Sequence, residues 1–470
     1  MFKAADYSTL LHQLEDFFAQ SLPTHPVTQP LEPEQLRDAL ALDLPTEGKP
    51  LADLDAEIAT YLQYAVKTAH PSYFNQLWGG FNAAGFMGEL LTSATNTAMY
   101  TYEVAPIATL IEQALIAKLG KLVGFTDPEG QFTTGGSNGN LMALAIARHR
   151  ALPTIKQDGM AHASRLIAFV SADAHYSFAQ AAHLLGLGTN QLWAIPTDRA
   201  GKLEIAALED RIAKAHSLGA QPFFVAGTAG TTVRGAFDPL PEIAAIARRE
   251  QLWFHVDGAW GATVLLSPRQ RHLMQGVEQA DSVVWDAHKM MGMTLMCSML
   301  LVKQRGRMLN TFSTQGRDYL FHAVPEQSED QPEQSPVDLG LSTLHCGRRV
   351  DAVKLWLAWH HLGDRGWADL VDHYFDLAAH AEATIHAQAR LELVTPRESL
   401  NLCFRYRPQN PAQDANQLTL RIRQELRAQG RAMVNYAQLD EQVVFRLVIC
   451  NNQTRKEGLD RLFADIVAIA

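Results

Sequence analysis

The segment SVVWDAHK at residues 282–289 starts as a short run of β-branched and aromatic side chains and ends on an acid, a histidine and a lysine. That is the pattern of a buried strand with polar groups at its carboxyl end. LWFHVDG (252–258) repeats it one strand–helix unit earlier and closes on Asp257. RLIAFVS (165–171), PFFVAGT (222–228) and SMLLVK (298–303) extend the series, with turn residues and helical stretches between the runs. Strands alternating with helices predict an α/β fold on a mostly parallel central sheet covered on both faces. Ligands of such sheets bind outside the carboxyl ends of the strands, so Asp257 and Asp286-Ala287-His288-Lys289 are expected to face one crevice.

Upstream, Ile107, Leu110, Ile111, Ala114, Leu115, Leu119 and Leu122 follow three- and four-residue spacing and predict a helix buried on one face. A second helix is expected after Gly139. Residues 1–70 are rich in Leu, Ala and Glu, but Pro23, Pro26, Pro30, Pro33, Pro45 and Pro50 cut them into short helices and turns. Downstream, FHAVPEQSEDQPEQSPVD (321–338) reads as a long polar, acidic loop, a kind of connection that is usually functional or disordered. LELV (391–394), NLCFRYR (401–407) and VVFRLVI (443–449) then alternate with helical segments. These features divide the chain into an N-terminal helical arm (1–85), a large domain (86–359) and a small C-terminal α/β domain (360–470).

Forty basic against fifty acidic residues give a formal charge of -10 over 470 residues, which argues against an electrostatic hold on nucleic acid. Hydrophobic residues at 47% and charged residues at 19% are those of an ordinary globular protein. The opening MFKAADYSTLLHQLEDFF lacks the basic, apolar and cleavage regions of a secretory signal. The longest apolar stretch, 290–302, falls short of the roughly 20 residues that cross a bilayer. Cys297, Cys346, Cys403 and Cys450 form no CxxC pair for metal or redox chemistry. A reducing, cytoplasmic compartment, with neither membrane nor metal as partner, is the expectation.

Lys289 lies between an apolar strand and the run MMGMTLMCSMLL (290–301). Such a lysine either snorkels to water or is used covalently, because desolvation makes it a nucleophile toward carbonyls. The covalent use, in a pyridoxal phosphate site, requires a carboxylate against the pyridine nitrogen, an anion cup for the phosphate, and a group stacked on the ring. Asp257 can serve as the first, though a lone aspartate after a strand also caps helices. TTGGSNGN (133–140), ahead of the helix LMALAIARHR (141–150), brings backbone N–H groups and small hydroxyls to a positive helix end. It matches neither the dinucleotide nor the Walker fingerprint. His175 in DAHYS (173–177) follows a strand at a place where an imidazole can stack on a planar ring; a lone histidine is otherwise structural or solvated. The four pieces taken together, each at a strand end, point to pyridoxal 5'-phosphate.

With these residues in place, the chain resembles the group II pyridoxal-phosphate amino acid decarboxylases, in the branch with glutamate and cysteine sulfinate decarboxylases. The resemblance is carried by HPSYFNQL (70–77), TAMYTYEVAP (97–106), TAGTTVRGAFDPL (228–240), HVDGAWG (255–261), ADSVVWDAHKMMG (280–292), DYLF (318–321), CGRRVDAVKLWL (346–357) and VFRLVICN (444–451). It implies the aspartate-aminotransferase-like fold (fold type I), with residues 86–359 as the cofactor-binding domain, and a homodimer with shared active sites. It further implies that Lys289 carries the cofactor covalently, Asp257 partners the pyridinium and His175 stacks on the ring. Ser137, Asn138 and His288 would hold the phosphate, Thr228 would lie near the ring and Ala259 under it. Arg446 would hold the substrate α-carboxylate, and Tyr319 would be the loop tyrosine that reaches the neighbouring subunit's site and returns a proton to Cα. Asp286-Ala287 stand where the animal members carry Asn-Pro, which sets an acid near the phosphate, and the stretch after Tyr319 also differs.

The implied reaction is decarboxylation of an L-amino acid to CO2 and an amine. An aminotransferase or aldolase would share the lysine and aspartate without needing HPSYFNQL or DYLF. An inactive homologue kept for binding would be expected to lose Lys289, Asp257 or His175, and a phosphate-binding regulatory module would leave the lysine unexplained. Gln76 offers an amide donor to an acidic side chain. Trp78 and Tyr100 lean by resemblance toward the cysteine sulfinate pattern, while Ala98 matches neither that nor the glutamate pattern. A bulky indole at Trp78 shortens the pocket and favours aspartate or cysteine sulfinate over glutamate, unless Trp78 faces the core.

Overall fold

All five apolar runs become strands, and two more join them. In the computed structural model, which describes residues 7–40, 42–161, 165–314, 320–321 and 338–470, they form a seven-stranded sheet. Its order is Glu129–Thr133, Ser298–Val302, Ser282–Asp286, Trp253–Asp257, Gln221–Thr228, Leu166–Ser171 and Leu192–Ile195. The last five run parallel, and Ser298–Val302 is antiparallel to both its neighbours. The central strands Leu166–Ser171, Trp253–Asp257 and Ser282–Asp286 are buried at every position, as strands covered on both faces must be. The two strands not foreseen, Glu129–Thr133 and Leu192–Ile195, lie at the sheet's edges and are only partly buried; the first, EGQFT, has no apolar run, and the second, LWAI, is only four residues long.

The helix Gly136–Ala151 lies across this sheet and buries Met142 to Ala147 without a break. Gly139 permits the contact: a Cβ there would stand 2.6 Å from a Val284 methyl. This helix begins at Gly136, four residues before the start at Asn140 that the sequence suggested, because Gly135 turns the chain into it with φ 126°.

The helix Pro106–Val123 opens on proline and stops at Gly124, whose φ of 95° ends it. Its expected buried face is split. Ile111, Leu115 and Leu119 are buried, whereas Ile107 is 74% and Leu110 52% exposed in the single chain. The stripe spanned more than the sheet could cover, since a helix turns only part of its circumference to one neighbour. Within the same body, Glu112 and Arg348 form an ion pair at 2.9 Å with side chains 0% and 4% exposed.

The chain divides by its contacts into two compact units, residues 82–373 as one and residues 1–81 with 374–470 as the other. The second is built on a five-stranded sheet ordered Tyr73–Phe74, Met433–Leu439, Gln442–Val448, Asn401–Tyr406 and Leu391–Leu393. Tyr73–Phe74 adds parallel to Met433–Leu439. The side chains of Asn451, Asn452 and Thr454 donate to the carbonyls of His70, Phe81 and Pro71. These bonds draw the first residues of the chain into the unit of the last. The helices Ala415–Ala428 and Lys456–Ile469 complete it, the first capped by Asp414, whose carboxylate accepts from the N–H groups of Asn416 and Gln417.

Candidate active site

The carboxyl ends of four strands carry the polar groups of residues 82–373. Asp257 ends its strand 4% exposed. One carboxylate oxygen accepts the Ala259 N–H at 3.1 Å and the other the Asn140 Nδ2–H at 2.9 Å. Asn140 also donates to Ser177 Oγ at 3.0 Å, and its own oxygen meets His255 Nε2 at 3.0 Å. His255 and Asp257 are two apart on one strand and so share a face. Asn140 and His255 were not singled out from the sequence; only the His255–Asp257 spacing was a signal there.

Asp286 ends the next strand with its side chain 2% exposed. It accepts from Ser298 Oγ at 2.5 Å, pairs with Lys289 Nζ at 3.1 Å, and has His288 Nε2 at 3.6 Å. Burial pushes its carboxyl pKa up, but the Lys289 and His288 charges and the Ser298 hydroxyl outweigh it and hold it below the ordinary value. Lys289 is therefore not the isolated ammonium that its apolar surroundings suggested; its side chain is 20% exposed and faces a buried acid. Burial lowers the pKa of His288 despite Asp286, and the ring's Nδ1 lies 2.9 Å from the Cys297 carbonyl.

The acid also borders the glycine cup, for a Cβ added at Gly136 would lie 2.8 Å from Asp286 Oδ2 and 3.2 Å from the Ala259 methyl. Ser137 is exposed and Asn138 half-buried in the first turn of the helix, where the leading N–H groups have no partner within the helix. His175 is half-buried, with its Nδ1 accepting the Ser177 N–H at 3.2 Å. Burial lowers its pKa, Asp257 and Asp286 oppose that, and Lys289 adds to it. The site thus joins one lysine, two carboxylates and two imidazoles, both with pKa lowered by burial, around a helix end.

Asn138 Oδ1 and Thr228 Oγ1 are buried with no hydrogen-bond partner among the described residues. Unspent polar groups are costly unless a ligand uses them. With its amide turned, Asn138 presents an NH2 to an anion, and the Thr228 hydroxyl can donate or accept. A phosphate-bearing carbonyl compound fits this donor set beside an amine: an anion cup, a lysine, and a carboxylate one strand away.

Ala98 and Tyr100 flank Gly347, within 3.6 and 3.8 Å of a Cβ placed there, and the intervening Met99 N–H donates to the Arg348 carbonyl at 2.9 Å. In the second unit, Arg446 is 7% exposed and donates from Nη2 to the Asn75 carbonyl at 2.9 Å. Gln76 follows at once, and Trp78 packs on Tyr73 with ring centroids 5.7 Å apart. Tyr319 lies outside the described residues, as does most of the loop 321–338. Among the described residues no helix is long and apolar enough to cross a membrane.

The model of the pyridoxal-dependent decarboxylase conserved domain matches residues 33–407. Cysteine sulfinic acid decarboxylase of Mus musculus is 36% identical over 445 residues, 93% of this chain and 89% of that protein. An acidic amino acid decarboxylase of Bos taurus is 36% identical over 444 residues, covering 92% and 84% of the two chains. The crystal structure of mouse CSAD superposes with a TM-score of 0.91 at 33% identity over 98% of both chains. That of Oryza sativa TDC with PLP and tryptamine gives 0.90 at 26% identity over 100% of this chain and 98% of the other. The chain belongs to the pyridoxal-dependent decarboxylases, and it is an amino acid decarboxylase with pyridoxal 5'-phosphate as its cofactor.

Proposed function

We propose that this enzyme acts on a short acidic L-amino acid, aspartate or cysteine sulfinate, in preference to glutamate, releasing CO2 and the amine. Arg446 is the observation that carries the reading. Its buried guanidinium is pinned to the Asn75 carbonyl, next in sequence to Gln76. A forked cation matches a carboxylate, and the adjacent amide supplies a neutral donor for a second acid group. The curated relatives named for cysteine sulfinic acid and for acidic amino acids support the same class. Trp78 is only half-buried against Tyr73 and so is not spent in the core, which supports a shortened pocket.

In this reading Arg446 holds the α-carboxylate and Gln76 the side-chain acid, with Trp78, Ala98 and Tyr100 shaping the pocket. Ser137, Asn138 and His288 would hold the phosphate at the helix end, Lys289 would carry the cofactor, and His175, Ala259 and Thr228 would hold its ring. Bound there, pyridoxal phosphate supplies the electron sink that breaking the Cα–carboxylate bond requires. Asp257 keeps a proton on the ring nitrogen, and Tyr319 returns one to Cα.

The enzyme is proposed to be a homodimer. Met87, Leu90, Leu91, Val104, Ile107 and Leu110, all of the unit 82–373, are large apolar residues left 43–74% exposed in one chain, more than a solitary surface usually shows. A cytoplasmic location is supported by four free cysteines, three of them buried.

Competition among aspartate, cysteine sulfinate and glutamate tests the substrate reading. One methylene is worth ~1–3 kcal/mol, so kcat/KM should favour the three-carbon acids ~10–200-fold. Glutamate ahead of both would overturn it.

A further inference from the structure

We propose that Asn140 and His255 are positioning residues, the last links of a one-way hydrogen-bond relay that keeps Asp257 a carboxylate and so keeps the proton on the cofactor's ring nitrogen. The proposal rests on the reading of Asp257 as the ring-nitrogen partner. The relay starts at Trp253, whose indole Nε1–H donates to Ser282 Oγ at 2.8 Å. Ser282 Oγ lies 2.8 Å from His255 Nδ1, His255 Nε2 lies 3.0 Å from Asn140 Oδ1, and Asn140 Nδ2 donates to Asp257 at 2.9 Å.

The carboxylate end fixes the direction. An ionised carboxylate can only accept, so the Asn140 NH2 faces Asp257 and its oxygen faces His255. His255 Nε2 must then donate, and in the neutral imidazole Nδ1 is left to accept the Ser282 hydroxyl, whose oxygen in turn accepts the indole N–H. A second donor contact, to Ser177, holds the amide the same way round. His255 is 0% exposed, and burial lowers its pKa to about 4, so it stays in the neutral form that the relay requires. Phe224 stacks on its ring at 5.9 Å and fixes the plane.

A proton shared between a carboxylate and a pyridine nitrogen sits on nitrogen only while the carboxylate is the better stabilised of the two anionic and neutral forms. Donors to Asp257 favour the charged form, and a flipped Asn140 would turn an oxygen toward it instead. Loss of one hydrogen bond to a charged group is worth enough to change the ratio of nitrogen-bound to oxygen-bound proton by about 10- to 100-fold.

The test is the 15N chemical shift of the ring nitrogen in holoenzyme reconstituted with ring-15N pyridoxal phosphate, recorded with the melting temperature of each variant. Asn140→Leu should move the resonance from the protonated toward the unprotonated position. His255→Phe should move it the same way by less, and His255→Gln, which retains a donor for Asn140, should restore it. A purely packing role would change the melting temperatures without moving the resonance. If Asn140→Leu does not fold, the Phe and Gln variants at His255 decide. A resonance unmoved in Asn140→Leu and His255→Phe but shifted in Asp257→Ala overturns the relay and leaves Asp257 as the ring partner. A resonance unmoved in Asp257→Ala overturns that assignment, and the relay with it.

Discussion

Acid should weaken this fold through His255 in a measurable step. The imidazole is fully buried, its pKa drawn down to about 4 by loss of water and only partly supported by Asp257 and Ser282. In the unfolded chain it titrates near ~6.5. Between those values the unfolded state binds a proton that the fold refuses, so stability is complete above about pH 6.5 and falls as pH drops toward 4. Each pH unit in that window is worth about 1.4 kcal/mol, which makes the penalty about 2 kcal/mol at pH 5. His255→Gln keeps a donor for Asn140 but has no proton to take up. Urea unfolding of both proteins with saturating cofactor at pH 7.5 and pH 5 isolates the effect, because the other titrating groups are common to the pair. The variant should be the less stable at pH 7.5, having lost packing, and the gap should close by about 2 kcal/mol at pH 5. A gap of equal size at both pH values would refute the assignment of a buried neutral imidazole.

Glu112→Ala should destabilise by ~3–5 kcal/mol, since Arg348 would be left charged and buried without its partner; the urea midpoint measures this, and Glu112→Gln should lose less. Gly88→Ala should cost ~1–3 kcal/mol by calorimetry, because the new methyl would lie 2.6 Å from the Lys354 Cα, a contact with backbone that no rotamer relieves. Lys289→Ala should abolish both turnover and the mass increment left on the chain by borohydride reduction of the holoenzyme; an increment of the wild-type size would place the cofactor's attachment on another lysine. Trp78→Ser should raise relative kcat/KM for glutamate, and an unchanged ratio would clear the indole of any part in substrate choice.

What could be recognised along the chain was local. An apolar run ending in Asp257, another ending in Asp286 and Lys289, and glycines ahead of a helix are each contained within a few residues, so strand, strand end and cup were legible as sequence. The backbone periodicities that create these patterns act over one strand or one helical turn. Which residues complete the site was not legible in that way. Asn140 meets Asp257 across 117 positions and Ser298 meets Asp286 across 12, and neither pairing leaves a repeat or spacing to detect. The apolar spacing of 107–122 announced a helix, yet only the fold determined that Ile111 and Leu115 turn inward while Ile107 and Leu110 remain exposed. Asn451, Asn452 and Thr454 likewise reach the carbonyls of residues 70–81 only once the small sheet has formed. A side chain's character is written at its own position; the partner that satisfies a buried amide or carboxylate is chosen by the packing of distant segments, because an unpaired polar group in the core is too costly to leave.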